Sequence, residues 1–213
     1  GVPQTRMKGF IMHESSIFLP LREMYTRLRN RSLTALDLVE AAVFFFSKQK
    51  ECYNAYKTWN GEKALKVARA TDSVFDLHGD AGPLMGFPVS VKDLYAVPGL
   101  PTYAGSSLQL PEKWEEPGPI ITALLKQLPT IMGKTHTVEF AFGGLGTNSH
   151  WGTPRNPWDR VNHRTPGGSS SGAGISIVCG TACLAFGTDT AGSVRIPASM
   201  TGVAGLKITA GRW

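Results

Sequence analysis

Between residues 20 and 80 the apolar positions recur at helical spacing. Leu21, Met24, Tyr25 and Leu28 fall at i, i+3, i+4 and i+7, which predicts an amphipathic helix over residues 20–30. Thr34 followed by Asp37 resembles a capping box with Asp in place of the usual Glu. It opens a second helix that runs to about Lys50. Val43 to Phe46 is apolar on every side of that helix, which predicts deep burial. Asn60 is placed to cap a third helix over residues 61–76. None of the three carries a functional signal, and they read as scaffold.

From residue 84 the period changes. "MGFPVSVKDL" reads as a short strand, Phe87 to Val91, ending on a lysine; "PIITALLKQ" reads as a helix and "PTIMGKT" as a strand. Residues 141–168 are Gly- and Pro-rich and irregular. Beyond them "SGAGISIVCG" reads as a helix, "ACLAFGTD" as a strand, "AGSVRIPAS" as a turn and short helix, and "GVAGLKI" as a last strand. Strands alternating with helices predict an α/β fold with a mixed, largely parallel sheet covered by helices. Parallel sheets need cover on both faces, and nothing follows the last expected strand. The sheet is therefore expected to be incomplete in this chain. Residues 13–213 would form the N-terminal part of a single domain, after a leader over residues 1–12 that is a cloning remnant or disordered.

The 213 residues are 42% hydrophobic and 18% charged, an ordinary composition for one domain or at most two. The net charge of +6 is densest at Arg22, Arg27, Arg29 and Arg31, on the first helix and its end. That run reads as a solvated face rather than a nucleic-acid patch. No apolar run approaches the ~18–20 residues of a membrane span. "GVPQTRMKGF" lacks the apolar core of a signal peptide. Cys52, Cys179 and Cys183 form no C-x-x-C and read as buried, reduced thiols of a cytoplasmic protein.

Three familiar motifs fail. Gly168 to Gly172 matches the G-x-S-x-G nucleophile elbow, but no strand precedes it and all five histidines lie before Ser170. "GKT" at 133–135 lacks the earlier glycine of a phosphate-binding loop, and "GGLGTNS" lacks the third glycine of a dinucleotide site. The histidines show no metal-binding spacing.

"TPGGSSSGAGISIVCG" is the informative stretch. A flexible linker would have polar neighbours, whereas this one runs into an apolar helix and strand. A serine nucleophile needs a base, and without histidine a lysine can serve if burial lowers its pKa. Lys92 ends an apolar strand, and Ser169 and Ser193 sit on glycine-flanked turns. A proton could then pass from Ser193 to Ser169 to neutral Lys92. The backbone N–H groups of Thr190, Ala191, Gly192 and Ser193 could hold an oxyanion.

Taken together, these segments resemble the amidase signature family. "GFPVSVKD" looks like its lysine-bearing strand, and "GKTHTVEFAFGGLGTNSHWGTPRNPWD" like its central segment. "PGGSSSGAG…GTDTAGSVRIPAS…GVAGLK" looks like its Gly/Ser signature. The likeness covers roughly residues 20 to 213, and the 24-residue interval between Ser169 and Ser193 makes it specific. It implies a Ser-cisSer-Lys triad, with Ser193 as nucleophile, Ser169 as bridge after a cis Gly–Ser bond, and Lys92 as base. Gly167 and Gly168 would give that bond room, and Thr190, Ala191 and Gly192 would join Ser193 in the oxyanion hole. Ser170 matches a serine near the lysine or a helix cap, and Asp189 and Arg195 match structural supports of the turn. Asn148 and Arg155 fall in a segment that runs near the site.

The departures are a helix poorer in alanine and a closing "GLKITAGRW". The resemblance implies an amidohydrolase working through an acyl-enzyme on a small-molecule amide. No cofactor, nucleic acid or membrane is expected, the protein is expected in the cytoplasm, and a homodimer is allowed. The rival expectations are a truncated, non-catalytic relative and one component of a glutamine-hydrolysing amidotransferase that acts with a partner.

Overall fold

The structure is a computed structural model that describes residues 15–211, apart from the side chains of residues 49–52. The expected leader over residues 1–12 and the Cys52 thiol therefore lie outside the description. Helix α1 (Leu21–Arg29) buries Met24 and Leu28, as its spacing predicts. Three of the four arginines at this helix and its end pair with carboxylates, and Arg22 is exposed. Arg27 pairs with Glu23, Arg29 holds Asp80 with two bonds of 2.8 and 2.9 Å, and Arg31 reaches Asp72 and Asp76 at 2.9 and 3.0 Å.

Helix α2 (Ala35–Tyr53) opens on the expected capping box: Asp37 N–H donates to Thr34 Oγ1 and Thr34 N–H to Asp37 Oδ2. Asp72 also accepts from Ala35 and Leu36 N–H, a second cap that joins elements far apart in sequence. Leu38, Val39, Ala41 and Ala42 enter the core. The run Val43–Phe46 is only half-buried, which corrects the expectation of deep burial. Its rings pack at the edge of the core and meet other rings: Phe46 stacks on Trp59 at 3.8 Å and Phe45 meets Phe18 edge-on.

Strand β1 (Tyr56–Trp59) is too short and too mixed in polarity to show a period of two. Helix α3 (Gly61–Asp76) begins at the expected residue, but the Asn60 side chain does not cap it. Its amide donates instead to the Ile131 carbonyl and pins the helix to the sheet.

Strand β2 (Pro88–Lys92), helix α4 (Pro119–Leu125), strand β3 (Thr130–Thr135), helix α5 (Ala173–Val178), strand β4 (Leu184–Phe186) and helix α6 (Arg195–Thr201) follow. The four-stranded sheet has the order β1-β3-β2-β4. β2 runs parallel to both neighbours, and β1 is antiparallel to β3. The sheet is mixed and largely parallel, as expected. β2 and β3 are buried at every position, which is why their sequences lack polar alternation. Residues 203–209 form no strand, which corrects the last sequence assignment. Val203 N–H turns back to Ala198, and Leu206 is 80% exposed, so the segment finds no sheet neighbour among the described residues. Lys92 sits at the carboxyl end of the sheet's centre, where ligands bind in open α/β sheets.

Candidate active site

Lys92 is the last residue of β2, and its side chain is wholly buried. Its amine donates to Ser169 Oγ at 2.6 Å and to Thr188 Oγ1 at 2.7 Å. No carboxylate among the described residues lies within ion-pair distance of it. Burial therefore pushes the ammonium down to about 7, against the opposing field of Asp189.

The glycine–serine stretch is packed rather than flexible: Ser169, Ser170 and Ser171 are all wholly buried. The Gly168–Ser169 peptide bond is cis. A Cβ at Gly168 would come within 2.7 Å of Gly146 N, so only glycine lets the two loops close on each other. Ser169 O accepts from Val138 N–H at 3.0 Å, and Gly168 N–H donates to Gly144 O at 2.8 Å. Gly167 has φ +78 and lies against Ile196, Pro197 and Met200 of α6. The Ser170 hydroxyl donates to the carbonyl of Thr188, whose own hydroxyl Lys92 reaches, at 3.4 Å, and does not cap α5. Ser170 N–H donates to Ser193 O at 3.3 Å, so the two signature turns meet through their backbones.

Asp189 organises the second turn. Its carboxylate is 3% exposed and accepts Gly192, Val194 and Arg195 N–H at 2.8, 3.1 and 3.3 Å, while Arg195 adds two bonds of 3.0 Å. The Arg195 guanidinium, helped by these amides, holds Asp189 well below the usual carboxylate range. Gly192 N–H is thus already taken. Among the described residues the N–H groups of Thr190, Ala191 and Ser193 donate to no protein group. Ser193 is half-exposed, and its hydroxyl makes no hydrogen bond among the described residues. The structure joins Lys92 to Ser169 directly, and Ser193 to them only through Ser170's backbone.

Asn148 is buried and fully engaged. It donates to Gly105 O and Thr137 O and accepts from His150 and Trp151 N–H, which fixes the loop behind Ser169. Arg155 bonds to the carbonyls of Asp159 and Arg160, and its N–H to Tyr53 O, so it braces its own loop. Thr188 escaped the sequence reading. Its available signal was position: β4 pairs Phe186 with Val91, so a polar residue just past β4 lands beside Lys92. The buried pair of Lys134 and Asp93 at 2.9 Å also escaped it.

His136 is buried, hydrogen-bonded to Asn54, and pushed down to about 4 by burial and by Lys57. Among the described residues no group of His, Cys, Asp or Glu could hold a metal ion, and no helix is long and apolar enough to cross a membrane. Cys179 and Cys183 are buried and outside any disulfide, as expected. A cavity of about 500 Å³, lined by Val138, Glu139, Phe142, Asn148 and His150 among others, flanks the Ser169 turn. Phe142, on the cavity wall, is 95% exposed.

A family model described as Amidase matches residues 37–213. The 2-amino-5-chloromuconic acid deaminase of Comamonas testosteroni is 60% identical over 195 residues, covering 92% of this chain and 42% of that protein. A glutamyl-tRNA(Gln) amidotransferase subunit of Aromatoleum aromaticum is 38% identical over 192 residues, covering 90% and 38%. Among solved structures, the native peptide amidase from Stenotrophomonas maltophilia superposes with a TM-score of 0.75 at 27% identity, covering 85% of this chain and 38% of that one. The chain thus spans about two fifths of the length of these relatives. With its fold, its lysine–serine pair and this match in hand, the chain belongs to the amidase signature family.

Proposed function

We propose that this chain carries the base, relay and nucleophile of a serine hydrolase that cleaves a C–N bond and releases ammonia or an amine. The observation that carries the reading is the buried Lys92 amine, 2.6 Å from Ser169 Oγ and without a carboxylate partner. Above pH 7 most of that amine is neutral and can accept a proton. Ser193 Oγ attacks the substrate carbon, its proton passes to Ser169 Oγ, and the proton of Ser169 passes to Lys92 Nζ. Ser169 is the bridging cis-serine of this relay, and its link to Ser193 closes with substrate in place.

The free N–H groups of Thr190, Ala191 and Ser193 receive the oxygen that turns negative. Asp189, braced by Arg195 and bonded to Gly192 N–H, holds the turn in shape. The proton then returns through Ser169 to the departing nitrogen. The C–N bond breaks, and an amide substrate leaves its acyl group on Ser193. Water, deprotonated by the same relay, hydrolyses that ester. No step calls on a metal or organic cofactor, a nucleic acid or a membrane.

The likeness to the deaminase, at 60% identity, supports a substrate drawn from the small unsaturated acids that carry a hydrolysable nitrogen. A role within an amidotransferase is the weaker reading, because that likeness falls to 38%. The intact lysine–serine cluster argues against a non-catalytic relative. The buried cysteines outside any disulfide fit the reducing cytoplasm, and the reading is compatible with a homodimer.

The test is ammonia release from 2-aminomuconate and from a panel of small carboxamides, with mass mapping of a sulfonyl fluoride adduct. Release by the parent protein, a decrease of orders of magnitude in Ser193→Ala with an unchanged circular dichroism spectrum, and an adduct on Ser193 are expected. Near-normal turnover in Ser193→Ala contradicts the assignment.

A further inference from the structure

Lys57 stands on a β-bulge. Along the β1–β3 ladder Tyr56 faces Thr135 and Thr58 faces Lys134, so Lys57 is the extra residue between two neighbouring rungs. A bulge re-aims the side chain it carries, and bulges cluster beside functional sites. Thr135 is also the register partner of Lys92. The bulge therefore lies at the catalytic end of the sheet, two strands and about 10 Å across from Lys92.

The re-aimed ammonium is clamped. Its Nζ lies 3.8 Å from the centroid of the Tyr103 ring and 3.7 Å from that of Trp151. The two rings meet edge-on at 5.4 Å. Trp151 is held at three points: its N–H on Asn148 Oδ1, its indole N–H on Ser106 O, and its carbonyl by the Asn54 amide. Tyr103 is held by its N–H on Asp93 Oδ2. The clamp is rigid before any ligand arrives.

Charge accounting leaves this ammonium unmatched. Asp93 is taken by Lys134 and Asp189 by Arg195. Among the described residues no carboxylate lies within ion-pair distance of Lys57, and its Nζ makes no hydrogen bond. Two aromatic faces favour the cation yet accept none of its N–H bonds in the manner of an oxygen. A lysine stem normally loses about 2 kcal/mol of rotamer entropy when it binds. Here the rings have already removed that freedom, so an arriving carboxylate gains a charge-assisted hydrogen bond at little ordering cost.

We infer that Lys57, clamped by Tyr103 and Trp151, is a carboxylate-binding residue at the rim of the site that selects anionic substrates. The inference rests on the proposed C–N hydrolase reading and adds the group that recognises the acid end of its substrate.

The test measures binding rather than turnover, so it fails independently of that reading. Isothermal titration uses Ser193→Ala protein with trans,trans-muconate and the uncharged muconamide as probes. Adding Lys57→Met, which keeps the apolar stem, should weaken muconate at least tenfold and leave muconamide within twofold. Lys57→Arg, which keeps the charge, should bind muconate within about threefold of the lysine protein. Equal muconate affinity in the lysine and methionine proteins overturns the inference. So does an absence of muconate binding to the lysine protein, or an arginine protein as weak as the methionine one, which would reduce Lys57 to a packing role.

Discussion

Two lysines on neighbouring strands are both wholly removed from solvent, and they have been given opposite surroundings. Lys134 on β3 meets the Asp93 carboxylate at 2.9 Å and the Thr102 hydroxyl at 2.9 Å. Lys92 on β2 meets two hydroxyls and no carboxylate. Burial disfavours the charged form of both. At Lys134 the Asp93 carboxylate opposes that shift directly, and the pair becomes a bolt. It ties β3 to the 101–104 loop through Pro101, Thr102 and Tyr103. At Lys92 only the field of Asp189, beyond ion-pair distance, opposes it, and the amine is left at about 7 with a serine in reach. The same residue type in the same sheet is structural when paired and basic when unpaired.

The comparison breaks most visibly at Lys92. Lys92→Ala removes the proposed base and should lower kcat/KM by roughly 10²–10⁴-fold with the fold intact, as rates and circular dichroism will show. Lys92→Arg should not rescue it, because a guanidinium does not become neutral in this range. Removing the carboxylate from the other lysine attacks stability instead. Asp93→Asn strands a buried ammonium and should cost about 3–5 kcal/mol in denaturant unfolding. Asp93→Leu combined with Lys134→Met should recover most of that loss.

The pH dependence of stability sharpens the contrast. The folded value of Lys92, about 7, lies below its ordinary 10.5, so between them the unfolded chain binds more protons. Stability contributed at this site therefore rises with pH across that window. The stability of Lys92→Met relative to the parent should be greatest at pH 7 and below, and should decline toward pH 10. The smallest effect belongs to Thr188. Thr188→Val removes one of the two hydroxyls on Lys92 and should lower kcat by about tenfold, within the few kcal/mol that a charge-assisted bond commands.

How much of this was legible depended on whether a feature was local. Lys92, Ser169 and Ser193 stood out because each sits in a turn or strand end whose neighbours announce it, and because their order and spacing are specific. The capping box at Thr34 and Asp37 was visible for the same reason. Features made by pairing across the fold were hidden. Thr188 becomes a partner of Lys92 only once β4 lies beside β2. Asp93 and Lys134 meet only across the ladder, and Asp72 caps a helix 36 residues earlier. Strand β1 is too short for its period to show, and the "GVAGLKI" segment has the composition of a strand but no neighbour to pair with among the described residues.

The turn proposed to receive the oxyanion shows the same limit in miniature. Its four N–H groups are equivalent in sequence, and only the position of Asp189 reveals that Gly192's is spent.

The central claim is that burial without a carboxylate makes Lys92 a base, and its own titration tests it most directly. In protein carrying ¹³C-labelled lysine, the Lys92 Cε resonance is identified by its loss in Lys92→Arg and followed from pH 5 to 11. The account predicts a midpoint near 7. A midpoint near the ordinary 10.5 would mean that the amine stays charged at neutral pH, and the unpaired lysine would then be no more a base than its paired neighbour.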